Sequence, residues 1–484
     1  MSGQVEQCEL ATGFSISRII TGMWQIADME RDGAILDLRK TAEAMKPYLD
    51  AGLFTFDMAD HYGSAEEIAG TFAHDTEGIQ LLTKWVPEPG PLKEQDVRNA
   101  VGKALIRTKR ETIDLFQFHA WNYADPAWLE ALFFLNDLKQ EGLISHLGLT
   151  NFDGAHLGMV VHSGIQVVSN QVSYSLIDQR PVLDMTELCQ EQSVRLLAYG
   201  TLAGGFLSER WLDKPEPEMR DLKTWSQMKY KRFIDAAGGW DKFQQLLQVV
   251  KNVAIKGNVS MANVACRFVL DQPEVGGIIV GARLGESEHI QENLRVFQFS
   301  LDDESRAALK EATSLLTPIP GNCGDEYRKP PFLTASGDLS HHVEAIPPPY
   351  ETRSGGDGRT LALSGTAWES MAGYSRAVRK GDRIWVSGTT AAHGERLIGG
   401  KDPASQTHFI IDKIGGAIQS LGGTLANVVR TRVFISNIEQ WEAVARAHGE
   451  RFREILPANT LVQASLVGEK YLVEMEAEAH IRSD

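Results

Sequence analysis

Short apolar runs, separated by segments of mixed polarity, dominate the first two-thirds of the chain. RIITGMW, LFTFDM, IQLLTKW, IDLFQFH, ISHLGLT, VVSNQVS, RLLAYG and GGIIVGA follow one another between Arg18 and Ala282. They are apolar almost throughout and rich in β-branched and aromatic residues, the pattern of strands covered on both faces. The intervening segments carry helical spacing instead. In PAWLEALFFLNDLKQEG, Trp128, Leu132, Leu135 and Leu138 recur at intervals of three and four, and Gly142 stands where a helix would stop. This alternation predicts a closed (β/α)8 barrel of TIM type. An open doubly wound sheet is the alternative, but no GxGxxG follows the first run.

After Leu316 the pattern changes. TPIPGNCGDEYRKPPFLTASGDLSHH is turn-rich and reads as a barrel tail, its adjacent His341 and His342 as solvated. EAIPPPYETRSGGDGRT, with a proline run and a glycine cluster, reads as a linker. The expected division is a barrel over residues 1–342, a linker over 343–366 and a smaller α+β unit over 367–484. In that unit RAVRKGDRIWVSGT predicts a hairpin turning near Gly381 and Asp382. FIIDKIGGAIQSLGG places Ile411, Ile414, Ile418 and Leu421 on one helical face, with Gly422 and Gly423 as the stop. VVRTRVFIS reads as a strand and IEQWEAVARAHGERF as a helix. YLVEMEAEAHI sets Val473, Met475, Ala477 and Ala479 against Glu474, Glu476 and Glu478, a strand with one face packed under helices.

A length of 484 residues exceeds one ordinary core and agrees with two domains. A net charge of -16 argues against nucleic acid or an anionic membrane as partner. Cys8, Cys189, Cys266 and Cys323 share no CxxC or metal-ligand spacing, so reduced thiols and no metal site are expected. MSGQVEQCELATG lacks the basic and apolar regions of a signal peptide, and no segment approaches the roughly 18 apolar residues of a membrane helix. The expectation is a cytoplasmic protein with no membrane partner.

The reactive groups of such a barrel stand at the C-terminal ends of its strands. Asp57 closes one run, Tyr62 hangs in the loop after it, Lys84 ends LLTKW and His119 ends FQFH. In FDMADHYGSAEEIAG, Ser64 and Glu67 have capping-box spacing for a helix starting just after Tyr62, which leaves Asp60 and His61 as loop scaffold. Taken singly, Asp57 or Lys84 reads more often as an ion pair, His119 as a satisfied rim histidine and Tyr62 as packing or surface. Together, the DxADxYG-like run, LLTKW and FQFH resemble the aldo-keto reductase family, over roughly residues 10–340. The resemblance implies a catalytic tetrad of Asp57, Tyr62, Lys84 and His119 that reduces an aldehyde or ketone to an alcohol. Hydride delivery builds negative charge on the carbonyl oxygen and needs a proton donor. A free tyrosine, with a pKa of about 10, is a poor one. A lysine ammonium beside Tyr62 would lower that value, Asp57 would keep the lysine charged, and His119 would donate a hydrogen bond to the carbonyl.

The same resemblance implies a nicotinamide cofactor. Its carboxamide would be held by Thr150, Asn151 and Gln171, with Tyr199 stacked on the ring. Gly200, Thr201, Leu202, Gly204 and Gly205 of LAYGTLAGGFL match the loop that wraps the diphosphate, although the family's Ser-Pro-Leu is Gly-Thr-Leu here. Glu292 and Asn293 fall at the adenine positions, and Arg283 where a 2′-phosphate is bound, with His289 at a second position often held by arginine. NADPH is therefore expected over NADH. Trp24 and Trp121 fall where members line the substrate pocket, and the insert from Ser208 to Gln272 is a candidate lid.

Residues 367–482 resemble the Rid superfamily, reactive-intermediate deaminases of chorismate-mutase-like fold. The resemblance implies a homotrimer with clefts between subunits. Tyr374 and Glu474 match cleft positions, but the arginine that holds a substrate carboxylate is Asn459 here, and a neutral amide cannot replace a bidentate cation. A ligand-binding or assembly role is expected of this unit. A bifunctional reductase and imine or enamine deaminase is one alternative; a cofactor-bound sensor is another.

Overall fold

The computed structural model describes residues 5–26, 36–286, 288–335 and 339–481. A hairpin not foreseen in the sequence comes first, β1 (Gln7–Ala11) and β2 (Phe14–Ser17). Leu10, Phe14 and Ile16 from it pack with Ile20, Leu82, Leu115 and Leu197 of the barrel, sealing the end away from the strand C-termini. Its strands are too short and mixed to show a clear period.

Eight parallel strands then close on themselves: β3 (Ile19–Gly22), β4 (Thr55–Asp57), β5 (Gln80–Trp85), β6 (Ile113–Phe118), β7 (Ile144–Thr150), β8 (Ser169–Ser173), β9 (Arg195–Tyr199) and β10 (Val275–Gly281), the last pairing with β3. Each predicted run supplies one of them. Helices α1 (Ala65–His74), α2 (Glu94–Thr108), α3 (Ala127–Gln140) and α4 (Gly154–His162) cover the outside. Ser64 does precede α1, but its side chain makes no capping bond, so the expected capping box is not formed. Between β9 and β10 the insert forms α5 (Trp225–Ala236) and α6 (Trp240–Gly257). Trp211 packs at 4.7 Å from Phe206 and 6.0 Å from Trp240, so that aromatic belongs to packing and not to a lid.

The second unit is a mixed sheet ordered β11-β12-β13-β14-β19-β17-β18. Its strands are β11 (Glu351–Ser354), β12 (Arg359–Leu363), β13 (Ala377–Lys380), β14 (Arg383–Thr390), β17 (Val428–Ile435), β18 (Ala458–Gln463) and β19 (Val473–His480); β15 (Ala392–His393) and β16 (Arg396–Leu397) form a separate small hairpin. The stretch 343–366, expected as a linker, supplies β11 and β12, and β12 pairs directly with β13. Its glycines mark the turn between these strands, Gly356 and Gly358 having φ of 71° and 70°. The hairpin at Gly381, the strand 428–435 and the alternation of β19 are as predicted.

Helices α7 (Pro403–Ser420) and α8 (Trp441–Phe452) lie on the sheet. Helix α7 presents Ile411, Ile414 and Ile418 as expected, yet every residue from Ser405 to Ile418 is buried. Its second face lies against α4 of the barrel. Among the contacts, His162 Nδ1 meets Ser405 Oγ at 2.9 Å and Gly399 N donates to Ser163 Oγ at 2.9 Å. At the centre, His156 of α4 has Nδ1 at 2.6 Å from Asp153 and Nε2 at 2.9 Å from Asp412 of α7, while Arg451 of α8 donates to the other oxygen of Asp412 at 2.6 Å.

Burial opposes a charge on His156, but the two flanking carboxylates outweigh it and raise its pKa. The remaining neighbours are His408, which burial pushes down to about 3, Glu450, raised by burial, and Tyr123, whose ring stacks on the imidazole. Arg328 lies beyond, over the Tyr123 ring. His156 thus binds its proton more tightly folded than unfolded. The stabilisation is complete below about pH 6.5 and is lost as pH rises through the raised value. Calorimetry across that window should show the melting temperature falling with pH. The His156→Gln protein should have a shallower slope, that of His162 beside Asp402 remaining, and be less stable by about 3–5 kcal/mol near neutrality.

Candidate active site

The C-terminal strand ends open into a cavity of about 530 Å3. On its floor Lys84 Nζ donates to Asp57 Oδ2 at 2.6 Å and to the Met58 carbonyl oxygen at 2.7 Å. Asp57 Oδ1 accepts from Gln171 Nε2 at 2.8 Å and from Gln117 Nε2 at 3.2 Å. The ion pair is almost wholly buried. Burial lowers the pKa of the Lys84 ammonium against the opposing pull of Asp57. Tyr62 lies above, its ring centroid 5.0 Å from Lys84 Nζ and 4.9 Å from Trp24, which meets it edge-on.

His119 closes the group. Its Nδ1 faces the Thr150 carbonyl oxygen at 3.4 Å. Burial, and then the Arg328 charge, hold the ring well below the ordinary histidine pKa and hence neutral. Its Nε2 is buried without a protein partner. Trp121 stands edge-on to His119 at 4.4 Å, its indole nitrogen donating to the Pro87 carbonyl oxygen at 2.8 Å.

The predicted cofactor residues Thr150, Asn151, Gln171, Tyr199, Gly200, Thr201, Leu202, Gly204, Gly205, Arg283 and Asn293 all line the cavity, as do Trp24, Trp121 and the tetrad. Asn151 adopts φ of 62°, and its Oδ1 accepts from the Tyr199 hydroxyl at 2.7 Å. Burial, then Tyr327 and Glu326, push the Tyr199 pKa well up. Gly200 and Gly204 have φ of 73° and 63°. A Cβ on Gly200 would collide with the Tyr230 hydroxyl, and one on Gly204 would fall 2.8 Å from the Ser226 carbonyl oxygen.

Glu292, the residue before Asn293, is not among the residues that line the cavity; it pairs with Arg295 at 3.4 Å. His342 also differs from expectation: it lies 5.3 Å from the Trp121 ring, and its Nδ1 is buried.

Several cavity residues were not foreseen. Thr224, Ser226, Gln227, Lys229 and Tyr230 come from the start of α5, and Tyr327 from the helical turn Asp325–Arg328 in the tail. Lys229 donates to the Tyr327 hydroxyl and lies 5.1 Å from the Tyr199 ring. Tyr327 is 5.8 Å from His119. Behind them Glu326 takes a 2.7 Å bond from Arg180, which also grips Asp178 at 2.7 Å. No spacing in the sequence links these segments to the strand ends.

In the second unit, Glu474 abuts Gly388, and the Tyr374 hydroxyl accepts from Arg376 at 3.1 Å. Arg376 also donates to the Gly388 carbonyl oxygen at 2.8 Å, which puts Tyr374 and Glu474 around one point. Burial raises the Glu474 pKa, with Arg376 acting the other way. Asn459 lies on β18, bonded to Thr431 at 2.9 Å, and β17 separates its strand from that of Glu474. Among the described residues no cluster of His, Cys, Asp or Glu could hold a metal, and no helix is long and apolar enough to cross a membrane.

The polar floor stands at the C-terminal ends of a closed parallel barrel, where barrel enzymes carry their reactive groups. The aldo/keto reductase family model matches residues 18–314, and the chain belongs to that family. Residues 364–481 match the model described as Endoribonuclease L-PSP and form a Rid-like domain fused to it. The chain is 27% identical to the uncharacterised oxidoreductase YqkF of Bacillus subtilis over 292 residues, which cover 57% of this chain and 88% of that one. It is 40% identical to an uncharacterised protein of Streptomyces coelicolor over 118 residues, covering 24% of this chain and 88% of the other. The glycerol dehydrogenase of Gluconobacter oxydans has a solved structure similar in fold, with a TM-score of 0.52 at 23% identity, covering 66% of this chain and 98% of its own.

The two glycine contacts yield a direct check. Gly200→Ala places a methyl group in a left-handed position against Tyr230 and should cost about 1–3 kcal/mol in urea unfolding.

Proposed function

We propose that the protein is an NADPH-dependent carbonyl reductase, cytosolic, in which Tyr62 is the general acid. The observation that carries this reading is the buried Lys84–Asp57 pair beneath Tyr62, at the base of a cavity lined by the expected cofactor residues. Bound NADPH would supply the hydride to the carbonyl carbon. Thr150, Asn151 and Gln171 would hold its carboxamide, Tyr199 its ring, Gly200 to Gly205 its diphosphate, and Arg283 with Asn293 the adenosine end. Tyr62 passes its proton to the carbonyl oxygen, and the nearby ammonium stabilises the phenolate left behind. His119, whose Nε2 has no protein partner, would hydrogen-bond the substrate oxygen. Trp24 and Trp121 form an apolar wall for the carbonyl substrate.

Steady-state NADPH oxidation over a panel of aldehydes and ketones tests this. Tyr62→Phe should lower kcat by about 100- to 10,000-fold with the NADPH KM little changed. Arg283→Ala should weaken NADPH by about 10- to 100-fold and leave NADH unaffected, since it removes one charge-assisted contact. Because burial lowers the Lys84 pKa, wild-type reduction should decline on the alkaline side below the ordinary lysine value of about 10.4. An unimpaired Tyr62→Phe enzyme would refute the mechanism.

A second reading, imine hydrolysis at Tyr374 and Glu474, is favoured by the raised Glu474 pKa and opposed by the missing cation at Asn459. Trp385 and Val462 are exposed on the face of the sheet that bears Glu474 and Glu478, which supports assembly as a homotrimer through that face. The full chain should run as a trimer in light scattering and hydrolyse 2-aminoacrylate no faster than buffer; rapid hydrolysis would establish a second activity.

A further inference from the structure

The loop from His119 to Pro126, between β6 and α3, carries two residues of the reductase cavity, His119 and Trp121. Its outer surface is gripped by the second domain. The Ala124 carbonyl oxygen lies against Gly416 of α7 so closely that a Cβ there would be 2.5 Å away. This is a backbone-to-backbone contact that only glycine permits. One turn earlier on the same face of α7, Asp412 bonds His156 at 2.9 Å, and the Tyr123 ring is stacked on that imidazole with centroids 3.3 Å apart. Arg451 of α8 braces Asp412 from behind at 2.6 Å.

The opposite side of the loop is held from within the barrel. Arg328 donates from Nε to the Ala120 carbonyl oxygen at 2.7 Å and places its guanidinium 4.3 Å over the Tyr123 ring. Helix α3, which the loop enters, is gripped as well: His393 Nε2 is 2.9 Å from Glu130, and Arg396 lies 4.0 Å over the Phe133 ring. The segment holding the catalytic histidine is thus clamped between the tail of the barrel and the helix layer of the other domain.

We propose that the second domain is a structural component of the reductase site, and that Asp412 and Gly416 of α7 are positioning residues acting on His119 and Trp121 through the 119–126 loop. The cofactor seat is built on other elements, the ends of β7 to β10 and the start of α5, so the contact bears on the carbonyl side of the cavity and not on the cofactor side. This inference rests on the reductase reading for its kinetic consequence only; the clamp itself is a property of the fold.

The test uses the full chain in four forms: wild type, Asp412→Asn, Gly416→Val, and Arg446→Gln as a control on the exposed face of α8. Amide hydrogen exchange over residues 119–126 should rise about tenfold in Asp412→Asn and Gly416→Val and stay at the wild-type level in Arg446→Gln. In the same proteins kcat/KM for the carbonyl should fall about 10- to 100-fold, as expected for small misplacement of reacting groups, while NADPH affinity by fluorescence titration stays within about twofold. Should Gly416→Val fail to fold, Gly416→Ala is measured in its place. Wild-type exchange and wild-type kcat/KM in folded variants would overturn the proposal, as would an equal loss of NADPH affinity. If wild type reduces no carbonyl, the reductase reading fails alone, and the exchange result still decides whether α7 holds the loop.

Discussion

An ammonium group taken out of water must be repaid at once by charge and hydrogen bonds, and the floor of the barrel is organised around meeting that demand for Lys84. Desolvation of such an ion costs several kcal/mol even after relaxation. Asp57 supplies the charge at 2.6 Å, Met58 a carbonyl oxygen, and the second oxygen of Asp57 is occupied by Gln117 and Gln171. Strands β4, β5, β6 and β8, with the Met58 carbonyl just beyond β4, therefore make or surround one buried pair. Gln171 belongs both to this network and to the wall of the cofactor seat, so the acid and the cofactor site share one hydrogen-bonded frame. The apolar packing that would otherwise fill the barrel sits at the opposite end, under the hairpin β1–β2.

The contact between domains obeys the same rule. Helix α7 is buried on both sides, and polar groups of its second face take partners from the barrel and from α8. Asp412 finds His156 and Arg451; Ser405 finds His162. A purely apolar face would adhere in several registers, whereas these pairs set one. The glycine at Gly416 lets the backbones close to contact beside them. In consequence a charge cluster outside the cavity borders, through Tyr123 and Arg328, the loop that carries His119 and Trp121.

Much of this was legible in the chain because burial on both faces leaves little freedom of composition. The eight barrel strands are nearly unbroken apolar runs, and the reactive residues close those runs, so position in the sequence and position at the rim coincide for Asp57, Lys84 and His119. Where a local signal admits two structures, the reading failed. Prolines and glycines in 343–366 mark the turns of β11 and β12 as well as they would a linker. Ser64 and Glu67 have capping-box spacing, but no side-chain cap forms. His342 looked solvated because nothing local to it predicts Trp121 as a neighbour.

The sequence by itself determined the barrel, the placing of Asp57, Lys84 and His119 where its strands end, and the alternating strand of the second domain, since each is encoded in periodicity over a few neighbouring residues. Tertiary structure decided the rest: that Lys229 and Tyr327, from an insert and a tail, share the cavity with His119, that His119 faces Thr150 through Nδ1, and that α7 is covered twice. Those outcomes depend on which distant segments the closed barrel brings together, and on the cost of leaving a buried charge such as Lys84 or Asp412 without a partner. No local pattern carries that information.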